Sequence, residues 1–237
     1  MLYKNGSIIG VDNIPDQVTA SGVYDLNAVQ QSRQNNTFPI VLNKVLLESR
    51  STAGSANVWT QSTYTIDGTS LAGSTGRWVV HHRNTISFTC DVQYDSITLP
   101  VAGGDVTYDF DTGNEGFQST TSNANPGQSI FNYPAATFYN VITQSSGAMR
   151  FMRDAAGTPS SNTGGVNGSG IDHSLGTTAG FYIYYEGSGS GSSAAPGSGF
   201  LRSPEVTLAS TGTIEWYQAE HGNNLNSSVR DVYWIFS

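Results

Sequence analysis

Apolar and polar residues alternate along much of this chain, and the alternation has a period of two. The clearest case is SFTCDVQYDSITLP, residues 87–100, where Phe88, Cys90, Val92 and Tyr94 fall on one face and Thr89, Asp91, Gln93 and Asp95 on the other. The same reading predicts strands over 41–49, 57–66, 76–84 and 106–113. Later strands are predicted near 138–143, 147–152, 180–186, 199–208, 212–220 and 229–236. Between them lie Gly- and Ser-rich turns, and two long loops at 158–170 and 187–200. Many short strands with such turns predict an all-β chain folded as a sandwich or jelly roll.

The start of the chain reads differently. YKNGSIIG, residues 3–10, fits a short strand or hairpin turning at Asn5-Gly6. One short helix is predicted from about Asp25 to Asn35, with Ser21 or Asp25 near its N-cap and Pro39 ending the run. Its apolar face, Val23, Leu26 and Val29, is thin and needs a partner to lie against. The predicted organisation is therefore an N-terminal arm and docking helix, 1–39, followed by one β domain, 40–237.

Composition narrows the function classes. The formal net charge is −8 and only 12% of residues are charged, which disfavours nucleic acid, since phosphate needs clustered Lys and Arg. Aromatic residues make up 11% of the chain, enough to fill a core. The lone cysteine, Cys90, forms no intrachain disulfide and reads as a buried inert thiol. No apolar run reaches the length of a signal peptide or a membrane span, so the expectation is synthesis in a cytosol without membrane insertion.

Candidate chemistry is sparse. Asp172-His173-Ser174 looks like a catalytic trio, but adjacent side chains on a strand or turn point apart, so a relay among them is not expected. His81 and His82 face opposite sides of one strand, and neither these two nor His221 has metal-ligand spacing. Glu215 and Glu220 fall on opposite faces of theirs, and Glu186 lies elsewhere, which argues against a glycosidase pair. The reading is non-enzymatic. Trp59, Trp78, Trp216 and Trp234 are mostly expected in the core. Tyr182 and Tyr184 share one strand face beside the Gly/Ser loop and are the candidate ligand-binding aromatics.

Five segments, in order, resemble the MAM domain, a jelly roll of the concanavalin-like class found in cell-surface adhesion proteins. They are YDFDTGNEGF (108–117), RFMRDAAGTPSSNTGG (150–165), IDHSLGTTAGFYIYYEGS (171–188), FLRSPEV (200–206) and IEWYQAEHG (214–222). The family's disulfides are absent here, and its final strands do not follow. A similar final run, CDVQYDSITL (90–99), lies upstream, preceded by GRWVVHHRN (76–84), which looks like the penultimate strand. The expectation is a circularly permuted jelly roll, joined across residues 101–106, with two separate small β units as the alternative. In this resemblance Asp-His-Ser is a structural marker. The resemblance also implies a structural Ca²⁺ between first and last strands, with Asp111 and Asp95 as leading ligands, Asp172 behind them, and Asp109 and Asp91 nearby.

ASGVYDLNAVQQSRQNNTFP, residues 20–39, resembles a short segment common in bacteriophage structural proteins, notably tail fibres. That resemblance implies a virion protein made in the host cytoplasm. It would dock onto other virion proteins by its arm, through Val23, Leu26 and Val29, and would stand as a homotrimer. The jelly roll would project to a host-surface glycan or pack in the trimer. The alternatives are a capsid decoration (head fibre) protein and a stand-alone carbohydrate-binding module.

Overall fold

The computed structural model describes residues 7–9, 23–25, 43–51, 58–84, 91–120, 130–143, 151–156, 171–185, 198–221 and 228–237. The chain divides into two compact units, Met1–Val41 and Leu42–Ser237.

In the first unit, β1 (Ser7–Ile9) pairs antiparallel with β2 (Val23–Asp25), setting Ser7 opposite Asp25 and Ile9 opposite Val23. Asp25 therefore belongs to a strand and does not start a helix. The β-branched and aromatic pair Val23-Tyr24 suits a strand, and Ser7–Ile9 supplies its ladder partner. The rest of the predicted helix, with Leu26 and Val29, lies outside the described residues, as does the side chain of Val23.

The second unit is a sandwich of two antiparallel sheets. Its strands are β3 (Lys44–Arg50), β4 (Thr60–Thr65), β5 (Thr75–Asn84), β6 (Asp91–Val101), β7 (Gly104–Tyr108), β8 (Gln118–Thr120) and β9 (Phe138–Asn140). Then come β10 (Phe151–Ala155), β11 (Phe181–Tyr185), β12 (Ser198–Arg202), β13 (Val206–Thr207), β14 (Thr213–His221) and β15 (Ser228–Phe236). A 3₁₀ segment spans Ile130–Ala135. One sheet runs β10-β11-β6-β14-β4, with β7 beside β6; the other runs β3-β15-β5-β12-β8-β9, with β13 beside β5. Strands from before and after residue 101 interleave in both sheets, so the chain does not build two separate β units. The result is the expected all-β jelly-roll sandwich.

The core follows from the alternation. Val92 and Tyr94 of β6, Trp78 and Val80 of β5, Ile214 and Trp216 of β14, and Val232 and Trp234 of β15 all point between the sheets and are fully buried. Trp78 and Trp216 bridge the two sheets edge-to-face, with ring centroids 6.0 Å apart, and Tyr94 meets Trp78 at 5.8 Å. Burying rings of this size dominates the energetics of such a core. His82 also points inward, 4.2 Å from the Tyr185 ring, while His81 faces the other way and stacks on Phe200 at 4.4 Å.

A polar network also crosses the sandwich. Glu48 and Arg50 of β3 form an ion pair; Arg50 Nη2 donates to Ser62 Oγ of β4 at 3.0 Å, and Gln218 Nε2 of β14 donates to Glu48 Oε2 at 2.9 Å. Beside it Arg230 of β15 pairs with Glu220 of β14 at 2.7 Å, with both side chains almost wholly buried. A buried ion pair is tolerated only when both charges are present, because either one alone would be left desolvated. Glu220 is thus occupied within the sandwich.

Two junctions bear on chain order. β6 and β7 form a hairpin turning through Ala102-Gly103, where Gly103 and Gly104 hold φ of 108° and 130°, values that favour glycine. The two ends of the sandwich also meet, since Phe236 N donates to Asn43 O at 3.0 Å. Among the described residues no helix is long and apolar enough to cross a membrane.

Candidate functional site

The site forms where β6 breaks its own alternation. Tyr94 and Ile97 are both buried in the core, so two polar residues, Asp95 and Ser96, separate inward positions where strict alternation allows one. The register with β14 slips at the same point: Tyr217 pairs with Asp95 and Glu215 with Thr98. Ser96 takes φ of 48°, the left-handed conformation of a bulge residue. The bulge presents the Asp95 carboxylate and the Ser96 hydroxyl to the turn 172–177.

That turn is organised by carboxylates. Asp95 Oδ2 accepts the amides of His173 at 2.8 Å and Ser174 at 3.0 Å, and its Oδ1 accepts Ser96 N at 2.6 Å. Asp172 Oδ2 accepts Leu175 N and Ser174 Oγ, both at 2.6 Å, and its Oδ1 accepts Thr177 N at 2.9 Å. Asp111 Oδ1 accepts Phe181 N at 2.9 Å, and its Oδ2 lies 3.0 Å from Ser174 Oγ. The single proton of that hydroxyl serves the shorter contact, to Asp172. Arg153 locks the neighbouring segment: its guanidinium donates to Phe110 O at 2.5 Å and Asp111 O at 2.9 Å, and stacks 3.3 Å over the Phe181 ring.

The electrostatics differ between the two buried carboxyls. Burial pushes Asp95 up to about 8, against the downward pull of the Ser174, Ser96 and His173 amides, and the nearby Asp172 charge adds to the rise. Burial also raises Asp172, but donation from Leu175 N, Ser174 Oγ and Thr177 N outweighs it and holds the group below the usual carboxylate value. His173 is lowered by burial despite Asp172 and Glu215 nearby, so the ring is neutral at neutral pH.

The Asp-His-Ser trio therefore forms no relay. The His173 ring turns away from Ser174 and pairs through Nδ1 with Ser96 Oγ at 2.9 Å. It stacks on Tyr217 with centroids 3.4 Å apart and planes 18° apart. Trp59 meets His173 edge-on at 6.1 Å, and its Nε1 donates to Ile171 O at 2.9 Å. Around this aromatic group Val58, Ile171 and Leu175 are 52%, 36% and 59% exposed.

Of the acidic residues singled out from sequence, Asp95, Asp111 and Asp172 converge on this turn. Asp109 is adjacent, accepting Asp111 N at 3.1 Å, and lies close to Glu115, which burial and Asp109 push up to about 7. Asp91 opens β6, and its carboxyl lies outside the described residues, as do Cys90 and the His221 side chain. A Ca²⁺ ion needs about 6–8 oxygens free to face it. Here amide hydrogens from residues 96, 173–175, 177 and 181 point at the carboxylate oxygens, which is where a cation would stand. The donor set does not fit the ion, and no group of three or more His, Cys, Asp or Glu able to hold a metal occurs among the described residues.

Tyr182 and Tyr184 do not present a ligand face. Both are fully buried with Met152 in a small cluster on the outer side of their sheet, and Trp59 packs against them. The reason is visible in FYIYY, an unbroken apolar run that buries both faces of β11. Around this turn Trp59, His173 and Tyr217 are part-exposed; the sequence reading placed Trp59 with the core tryptophans and His173 in a structural marker, and did not single out Tyr217. No family model and no solved structure matches the chain.

Proposed function

We propose that this protein is a non-enzymatic bacteriophage virion component, most consistent with a tail-fibre adhesion protein. Its N-terminal unit docks onto the particle, and its permuted MAM-like jelly roll is displayed outward. The observation that carries the reading is the division of the chain at Val41–Leu42 into a small N-terminal unit and a self-contained sandwich. An arm that docks and a head that binds need that separation. The reading draws further support from the phage-like segment 20–39.

The permutation draws support from two contacts: the Asn43–Phe236 hydrogen bond, which brings the ends of the sandwich together, and the tight β6–β7 hairpin, which stands where the family's ends would be. Antibody-labelled electron microscopy of purified particles tests the assignment. Label on the tail is expected. Label over the head makes the chain a decoration protein, and particles without label refute the virion reading.

A further inference from the structure

The edge of the β4–β14 ladder carries a surface strip that none of the preceding roles uses. Trp59, Gln61 and Thr63 occupy successive outward positions at the start of and along β4. Across the ladder Gln61 pairs with Tyr217 and Thr63 with Glu215. Cross-strand partners on one face stand about 5 Å apart, so the side chains form one continuous strip. Gln61 and Thr63 are exposed, and His173 extends the strip by stacking on Tyr217. From Trp59 to Thr63 the strip runs about 13 Å along the strand.

We propose that this strip is a carbohydrate-binding platform that takes a neutral oligosaccharide. The inference deepens the adhesion reading and rests on it for its biological setting. A pyranose has an apolar C–H face and a rim of hydroxyls. The strip offers the complement: aromatic rings at one end, and an amide, a hydroxyl and a carboxylate beyond them, all uncharged apart from Glu215. It holds no cation to receive a uronate or phosphate, and the chain's net charge of −8 opposes anionic ligands. The platform is also preorganised. Asp95 and Asp172 fix the turn that carries His173, Ser96 fixes the imidazole ring, and Ile171 O holds the Trp59 indole. Rings held in place before binding lose little conformational freedom when a ligand arrives. The exposed Ile171 and Leu175 then line the rim of the aromatic end.

The chain supplies its own probe. Trp78, Trp216 and Trp234 are fully buried, so of the four tryptophans Trp59 alone reports surface events. The experiment titrates the full chain with neutral gluco-, galacto- and N-acetylglucosamine oligosaccharides, reading tryptophan emission and protection from acrylamide, with calorimetry in parallel. A polygalacturonate and anionic lipid vesicles serve as contrasts. Saturable binding of a neutral oligosaccharide is expected, weakened about tenfold by Trp59→Ala, in line with the worth of one aromatic contact. Gln61→Ala, at an exposed position, is expected to weaken binding with an unchanged melting temperature. No saturable binding across the neutral panel overturns the proposal. So does binding indifferent to both substitutions, or binding confined to polygalacturonate or vesicles. Particle labelling is read separately: a labelled tail with no sugar binding refutes the platform and leaves the virion reading standing.

Discussion

Replacing Gly180 by alanine places a methyl group inside the space of the Asp172 carboxyl, in contact with its carbon and both oxygens. Gly180 does not hold a left-handed φ, so the effect is steric and not conformational. The carboxyl must move, and moving it breaks its contacts to Ser174 Oγ at 2.6 Å, Leu175 N at 2.6 Å and Thr177 N at 2.9 Å. Hydrogen bonds to a buried charge contribute ~1.5–3 kcal/mol each when measured singly and less when lost together. A turn that partly faces water sits at the low end, so Gly180→Ala is expected to cost about 3 kcal/mol. Asp172→Ala removes the same contacts and is expected to cost a similar amount. In a domain of this size 1 kcal/mol moves the melting temperature by ~2–4 °C, which gives a drop of ~6–12 °C for either variant. The double variant is the decisive one. Without the carboxyl the three atoms nearest the added methyl are gone, so the pair is expected to cost about 3 kcal/mol and not 6, a coupling far above the ~0.5 kcal/mol scatter of independent sites. Urea denaturation of the four proteins measures it. Additive costs, or a Gly180→Ala variant as stable as the parent, would refute the account of the turn.

Three further outcomes follow from the same geometry. Asp95 titrates higher in the folded chain, at about 8, than in an unfolded one, so its contribution to stability is complete below about pH 4 and is lost as pH rises through 8. Asp95→Asn should therefore flatten the stability profile between pH 5 and 8, by up to ~1.4 kcal/mol per pH unit, in urea melts at stepped pH; a profile unchanged from the parent's contradicts the assignment. Calcium at millimolar concentration, or excess chelator, should shift the melting temperature by less than about 1 °C, because binding to the folded state alone would raise it; a calcium-dependent rise of several degrees would return the ion to the Asp95–Asp172 turn. A chain opened between Ala102 and Gly103, with residue 237 joined to residue 43 through a short glycine linker, should keep the parent's near-ultraviolet circular dichroism; loss of that signal counts against interchangeable ends.

The strands were legible because their alternation is local. Trp78 and Val80, or Trp216 and Ile214, announce an inward face within a few residues, and the sandwich follows from many such segments. The bulge escaped the sequence reading, because the near-strict alternation of residues 87–95 concealed it, although its trace is in the sequence. Inward positions shift from even numbers at Val92 and Tyr94 to odd numbers at Ile97 and Leu99, and that change of parity marks the extra residue. The Asp95–His173 contact spans 78 positions, so only a resemblance that ordered the segments could bring the two near each other. Val23-Tyr24-Asp25 was read as leading into a helix because the partner strand, Ser7–Ile9, lies outside any local window. The surface role of Trp59 was hidden for a related reason. Its three sister tryptophans are core, and nothing within its own segment separates it from them.

The network from β3 to the opposite sheet also has a mechanical meaning. Tension applied to the N-terminal side of the sandwich enters at residue 43, at the start of an edge strand that, among the described residues, its own sheet holds through β15 alone. An edge strand gripped on one side peels under load one hydrogen bond at a time. The contacts of Glu48 and Arg50 to Ser62 and Gln218 stitch this strand directly to the sheet that carries Trp59 and Tyr217. Load arriving through β3 is thereby shared with the opposite sheet before the edge can unzip, and the sandwich resists being opened from its first strand.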